Sequence, residues 1–368
     1  MPRSPLLWLR ELGRTLQELG LRPVDEDQCI YTNQQVTVIF YVDDIIILSK
    51  PQDKAHMLSF KDALMRKYAM REIGDMQWFL GIRIIRDRNT RRLWLCQDSY
   101  IDKIVKRYGL ETRKLPETPL SEALSKNEDI ATPSQIFEYQ QKVGSLLYAA
   151  IMTRPDVAFT AAKLSEFVQN PSRQHIEAVN RAICYLHGTK NHAIEYSNKN
   201  EGTTVFTGAS DAAYADNPDR KSSEGYIFSL FGGPIDWKAG KQKTVTTSTT
   251  EAELLALSRA AKEIRWWNRF FTAIGFDIEH QPFISCDNQQ TIGLLTKESP
   301  DLKTKLRHVD IHHHWLRQEI RSKRLNVVWE PTKKMIADGL TKMLPKQGHQ
   351  DFVRLLQLQD ITSRITYD

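Results

Sequence analysis

The chain has 368 residues, with 51 Lys and Arg against 45 Asp and Glu, a net charge of +6 and a pI near 9.0. That length, with 41% hydrophobic residues, supplies more than one core, so two or three domains are expected and a fibre or tail is excluded. The basic excess leans toward polyanionic partners, the dispersed Cys29, Cys96, Cys184 and Cys286 suggest neither a disulfide framework nor a zinc ribbon, and no stretch approaches the roughly 20 apolar residues of a membrane span.

From the N-terminus, Trp8, Leu12, Leu16 and Leu19 recur at helical spacing between Arg and Glu, which predicts a helix closed by Gly20 and not a signal peptide. An intracellular home, cytoplasmic or nuclear, is expected. β-Branched residues then run from Val36 to Leu48 with a break only at Asp43-Asp44, predicting a hairpin with two acids at its tip. A helix over about Asp53 to Met70 and a strand pair in WFLGIRIIRDRNTRRLWLC, turned at Asp87 to Thr90, complete an α+β platform over residues 1–110.

Between Gly109 and Pro133 the apolar periodicity gives way to Pro, Glu, Lys and Ser, marking a connection. Tyr139 to Thr189 predicts two or three helices with apolar stripes at Val143, Leu147 and Ala150, then at Ile176, Val179, Ile183 and Leu186. Residues 111–195 thus form a connection and helices. From Thr204 the order is three strands, a long helix from Glu251 to Ile274 closed by Gly275, a strand, two helices, a strand and a helix. This predicts a mixed five-stranded sheet flanked by helices over residues 196–346, with a helical tail over 347–368. The fold class is α/β (α+β).

Four acids in this last region stand where the fold does not require them. Asp211 lies mid-strand, against β-propensity; Glu253 lies in the first turns of the long helix, after a Thr/Ser run able to cap it. Asp287 ends the strand PFISCD, and Asp338 begins the last helix. Each alone reads as a cap or turn acid. Converging, they satisfy the all-oxygen demand of paired Mg²⁺ ions about 4 Å apart in phosphodiester hydrolysis.

The segments GASDAAYADNPDRKSSEGYIF, PIDWKAGKQKTVTTSTTEAELLALS, ISCDNQQTI, RHVDIHHHWLRQEI and NVVWEPTKKMIADGLTKML together resemble the ribonuclease H domain of copia-type LTR retrotransposon polyproteins. The resemblance implies Asp211, Glu253, Asp287 and Asp338 as catalytic, metal-binding residues, two Mg²⁺ ions with Mn²⁺ as a substitute, and an RNA–DNA hybrid as partner. Glu253 is chosen over Glu251 on the Glu-Leu-x-Ala pattern, leaving Glu251 as a first-turn acid favoured by the helix dipole. In SDAAYAD, Ala213 and Asp216 replace the family's acid and glycine, and Val328 to Asp338 lacks the histidine of cellular ribonucleases H, so slower turnover is expected.

His308, His312, His313 and His314 could share a helix face as ligands. Without a Cys or an HExxH pattern they read as part of a helix packed through Val309, Trp315 and Ile320. Lys303, Lys305, Arg307 and His308, with Lys238, Lys241 and Lys243, are candidates for phosphate contacts.

Tyr41-Val42-Asp43-Asp44 resembles the YxDD motif of reverse transcriptases, and SPLLWLRELGRTLQELGL, LCQDSYIDKIVKRYGL and YQQKVGSLLYAAIMTRPDVAFTAAKLSEF extend the copia-type resemblance over nearly the whole chain. It implies Asp43 and Asp44 as catalytic acids, with Asp43 a metal ligand. The family's palm carries a further metal-binding Asp well upstream, so an incomplete palm, poor solubility of the first hundred residues and no polymerase activity from this chain alone are expected. A missing upstream polyprotein segment would be the natural partner. Three hypotheses follow: a hybrid-cutting nuclease, a catalytically idle nucleic-acid binder, and a polymerase working within a longer polyprotein.

Overall fold

The computed structural model describes residues 5–197, 204–296 and 307–365. They divide into two units, one of residues 1–75 with 262–279 and one of residues 76–261 with 280–368.

In the first unit, helix α1 (Pro5–Glu18) precedes the antiparallel strands β1 (Arg22–Val24), β2 (Asp27–Thr32), β3 (Val36–Tyr41) and β4 (Asp44–Ser49), and helix α2 (Lys54–Lys67) follows. Leu12 and Leu16, one helical turn apart on α1, pack with Val36, Val38 and Phe40 from alternate positions of β3 and with Phe60 and Leu64 of α2. The expected hairpin is present: β3 and β4 join through Val42-Asp43, with Tyr41 opposite Asp44. Val42 takes φ +54°, a left-handed conformation costly for a β-branched residue. Its carbonyl accepts a 2.7 Å bond from the Trp8 indole, which fixes the turn.

The second unit opens with β5 (Trp78–Phe79), β6 (Ile82–Asp87) and β7 (Arg92–Cys96), then helices α3 (Asp98–Arg107), α4 (Pro133–Met152), α5 (Ala158–Ser165) and α6 (Arg173–Gly188). Thr132 with Gln135 and Ser172 with His175 form the capping boxes that start α4 and α6. Tyr139, Val143, Leu146, Val179, Ile183 and Leu186 are central to the helical core. Between α4 and α5 the fully buried Arg154 forms a fork with Asp156, at 2.8 and 2.6 Å. Tyr185 donates to Asp156 at 2.8 Å and meets His349 at 2.8 Å, so the charged pair sits in a closed polar network.

Strand β8 (His192–Ser197) leads to β9 (Phe206–Ala213), β10 (Ser223–Leu230) and β11 (Gly233–Lys241), then to helix α7 (Thr249–Ala273). Residues of α7 up to Ala261 belong to the second unit and the rest to the first, where Arg269 pairs with Glu26 at 2.9 Å. Strand β12 (Phe283–Cys286), helices α8 (Gln289–Thr296) and α9 (Arg307–Arg321), strand β13 (Asn326–Trp329), helix α10 (Lys346–Leu355) and strand β14 (Leu358–Asp360) complete the order. The mixed five-stranded sheet expected from the sequence runs β11-β10-β9-β12-β13, with β12 parallel to both β9 and β13 and the other pairs antiparallel.

Two placements differ from the sequence reading. Strands β5 to β7, grouped above with the hairpin platform, lie in an antiparallel sheet of order β14-β8-β7-β6-β5. The tail expected to be helical supplies α10 and then β14, whose Leu358 pairs with Ile194. Among the described residues no helix is long and apolar enough to cross a membrane.

Candidate active site

The five-stranded sheet delivers its acids by different local devices. Asp211 is held mid-strand in β9 directly opposite Gly225 of β10. A Cβ at position 225 would fall 2.6 Å from the Leu340 Cβ, so glycine there lets a short 3-10 turn, Ile336–Leu340, lie against the sheet. That turn carries Asp338 and brings Thr341 close enough to donate to Asp211. Asp338 was expected to begin an α-helix; the chain instead makes this single tight turn, with Gly339 pressed against the Phe352 ring.

Asp287 follows β12 directly, and its carboxylate accepts from the Thr332 hydroxyl at 2.8 Å. Glu253 reaches the site from α7, which approaches β9 through Ala252, Ala256 and Ala212, small side chains that permit close packing. Ser248 caps α7 by accepting from the Glu251 amide at 3.2 Å, and Glu251 turns back to accept from the Thr247 amide and hydroxyl, each at 2.7 Å. Glu251 is therefore occupied in the cap.

Carboxylate oxygens of Asp211, Asp287 and Asp338 lie within 4.8 Å of one another. Asp211 is 1% exposed, and Glu253 Oε2 is buried with no hydrogen-bond partner. Burial, together with the charges of Asp211 and Asp287, pushes Glu253 up to about 9. Burial also raises Asp211 to about 6, with Asp338 and Asp287 adding to the rise against the opposing pull of Lys342 and Thr341. Like charges in a dry setting are short of a cation, and the donor set is entirely oxygen. Both features fit hard divalent ions.

The sequence reading missed Thr341, Thr332, Gly225 and Lys342. Lys342 Nζ lies 2.6 Å from Asp338 and 3.6 Å from Asp211. Its only sequence signal is the four-residue spacing from Asp338. Burial lowers the Lys342 ammonium, but Asp211 and Asp338 outweigh it and leave it above the usual lysine value.

Of the proposed phosphate contacts, Lys238 and Lys243 are exposed. Lys241 is instead tied to Glu166 at 2.5 Å and Asp219 at 3.6 Å. The side chains of Arg307 and His308 lie outside the described residues, as do Lys303 and Lys305. His312 contacts the Ser258 hydroxyl at 2.7 Å, and His313 is buried with its ring 3.3 Å from the Leu294 carbonyl. Helix α9 buries Val309, His313 and Leu316 on one face, on which the half-buried Ile320 also lies, whereas Trp315, expected on that face, points to its flank. Asp216, the departure in SDAAYAD, accepts from the Ser223 amide and hydroxyl, each at 2.7 Å, and braces its own hairpin.

In the first unit, Asp43 and Asp44 are exposed at the hairpin tip. Among the described residues, the cluster of three potential ligands lies at Asp211, Asp287 and Asp338 and does not include these two acids.

Residues 1–122 match the family model described as reverse transcriptase (RNA-dependent DNA polymerase). The chain is 32% identical over 94% of its length to the retrovirus-related Pol polyprotein from transposon TNT 1-94 of Nicotiana tabacum, and 32% identical over 96% to that of transposon RE1 of Arabidopsis thaliana. It spans 26% and 24% of those polyproteins, about a quarter of each. It is 30% identical to a putative transposon Ty5-1 protein of Saccharomyces cerevisiae, covering 72% of this chain and 86% of that one. A solved ribonuclease H1 isolated from compost is a distant likeness, with 16% identity, a TM-score of 0.30, and coverage of 38% of this chain and 93% of that one.

Proposed function

The chain belongs to the copia-type retrotransposon Pol polyproteins, and from that premise we propose that residues 196–346 form a metal-dependent ribonuclease H cutting the RNA strand of RNA–DNA hybrids. The observation that carries the reading is the convergence of Asp211, Asp287 and Asp338 within 4.8 Å, beside the buried Glu253 whose Oε2 has no partner. These four residues would hold two Mg²⁺ ions, with Mn²⁺ as a substitute. When bound, such ions supply the positive charge that activates a water and stabilises the leaving oxygen of a phosphodiester.

The chain's own contribution is positional. Asp211 is locked by strand pairing and by Thr341, Asp287 by Thr332, and Asp338 by a turn packed on Gly225 and Phe352. Rigid placement of this kind costs no reorganisation when charge develops in the transition state. Exposed Lys238 and Lys243 are proposed to touch the hybrid backbone. Asp43 and Asp44 are proposed as the acid pair of a polymerase hairpin that does not polymerise in this chain alone, since among the described residues no third ligand joins these two exposed acids, and such a pair holds two metal ions poorly.

The test is cleavage of a labelled RNA–DNA hybrid by the full chain with Mg²⁺, with EDTA, and in the Asp211→Asn and Asp287→Asn variants. Metal-dependent cutting lost in both variants is expected. Hybrid binding with no cutting under any condition would leave an idle binder and refute the nuclease reading.

A further inference from the structure

If Asp211, Glu253, Asp287 and Asp338 form a divalent-cation site, one charged side chain at that site has no role in holding the ion: Lys342. It follows Asp338 by four residues, donates to Asp338 Oδ1 at 2.6 Å, and stands 3.6 Å from Asp211 Oδ2. Its side chain is 40% exposed, whereas that of Asp211 is 1% exposed, so the ammonium enters from the solvent side and covers the buried acid. Three carboxylates whose oxygens lie within 4.8 Å repel one another strongly unless protonated or neutralised. Among the described residues, Lys342 pairs with two of these three carboxylates, and both of the residues it pairs with, Asp211 and Asp338, are proposed metal ligands.

An ammonium and a divalent ion held on the same two carboxylates repel each other severely. We propose that Lys342 is a tethered internal counter-ion, which holds the acid cluster assembled before metal arrives and which a divalent cation must displace on binding. The site's affinity for Mg²⁺ is then set by competition with the chain's own lysine. The flexible four-carbon stem lets the ammonium swing back to water once released. The inference rests on the metal-site reading above, and it adds a control on that site which the acids alone do not provide.

The test uses the full chain without nucleic acid, with Mg²⁺ binding followed by calorimetric titration and by the rise in Tm. Lys342→Met, which removes the charge and keeps the stem, is expected to bind Mg²⁺ about tenfold more tightly than wild type while melting lower in EDTA. Lys342→Arg, which keeps the charge, is expected to stay near wild type. Equal or weaker binding in Lys342→Met overturns the proposal and leaves the metal site standing. If wild type binds no Mg²⁺, or Asp287→Asn binds it equally well, the metal-site reading falls and this inference falls with it. A second measurement does not depend on the folding of a variant. Acylation of Lys342 by an amine-reactive reagent in the wild-type chain, read by mass spectrometry, is expected to rise when Mg²⁺ is added; unchanged or reduced labelling overturns the proposal.

Discussion

Glu253→Gln should stabilise the metal-free protein at alkaline pH, against the usual cost of altering a buried polar residue. The unfolded chain releases the Glu253 proton near 4.5, whereas in the folded site burial and the charges of Asp211 and Asp287 hold it to about 9. Between those values the folded state binds more protons, so each pH unit climbed removes stability, at about 1.4 kcal/mol per unit. At pH 8 the accumulated cost approaches about 4 to 5 kcal/mol as an upper bound, and on the order of 2 kcal/mol is a fair expectation once the site relaxes. Glutamine keeps the shape and does not titrate, so the variant escapes the penalty. Urea unfolding at pH 5 and pH 8 in EDTA should show the two proteins nearly equal in acid and the variant ahead in base. Mg²⁺ at about 100 times its Kd should then restore roughly 2.7 kcal/mol to wild type, and less to the variant. A variant that is less stable than wild type at pH 8 in EDTA, or a difference independent of pH, would refute the assignment of Glu253 to the acid cluster.

Three further outcomes are expected. Gly225→Ala places a methyl 2.6 Å from the Leu340 Cβ, so it should cost about 1 to 3 kcal/mol in thermal unfolding and weaken Mg²⁺ binding by shifting the turn that carries Asp338. Asp156→Ala leaves the buried Arg154 guanidinium without its counter-charge, although Thr189 still accepts from it, and should cost about 3 to 5 kcal/mol. Burial raises Asp156, but Arg154 outweighs it and holds the carboxyl at about 2, so this pair's contribution should persist above the unfolded value near 3.8 and vanish as pH falls toward 2 in acid titrations followed by circular dichroism. Lys238→Ala and Lys243→Ala should each lower the salt dependence of hybrid binding by about one in log–log slope. Lys241→Ala, tied up with Glu166 and Asp219, should leave that slope nearly unchanged.

What the sequence made legible was local. The β-branched run over Val36 to Leu48, broken only at Asp43-Asp44, located the hairpin, and the Thr/Ser run before Glu251 located the start of α7, because both signals lie within a few residues of what they specify. Asp211 stood out as a mid-strand acid against β-propensity, whereas Asp287 and Asp338 each read singly as a turn or cap acid and gained meaning only from the order of the elements. Long-range pairing was not legible. Nothing in WFLGIRIIRD distinguishes an edge beside β4 from an edge leading to β8, since either neighbour satisfies the same alternation. Lys241 and Lys238 look alike in the string PIDWKAGK, and only the fold brings Glu166 and Asp219 against the first of them. Gly225 illustrates the same limit, because its reason is Leu340, more than a hundred residues away.

The sheet β14-β8-β7-β6-β5 draws its strands from residues 78–96, 192–197 and 358–360. On the ribosome, β8 can pair with β7 long before β14 has been made, and through that interval one side of β8 presents unpaired amides and carbonyls to any passing strand. The β14 segment is only three residues long, yet its late arrival caps that side. Its effect is thus one of timing: a short piece of chain made after the rest of the sheet decides how long the growing protein stays vulnerable to sticking to its neighbours.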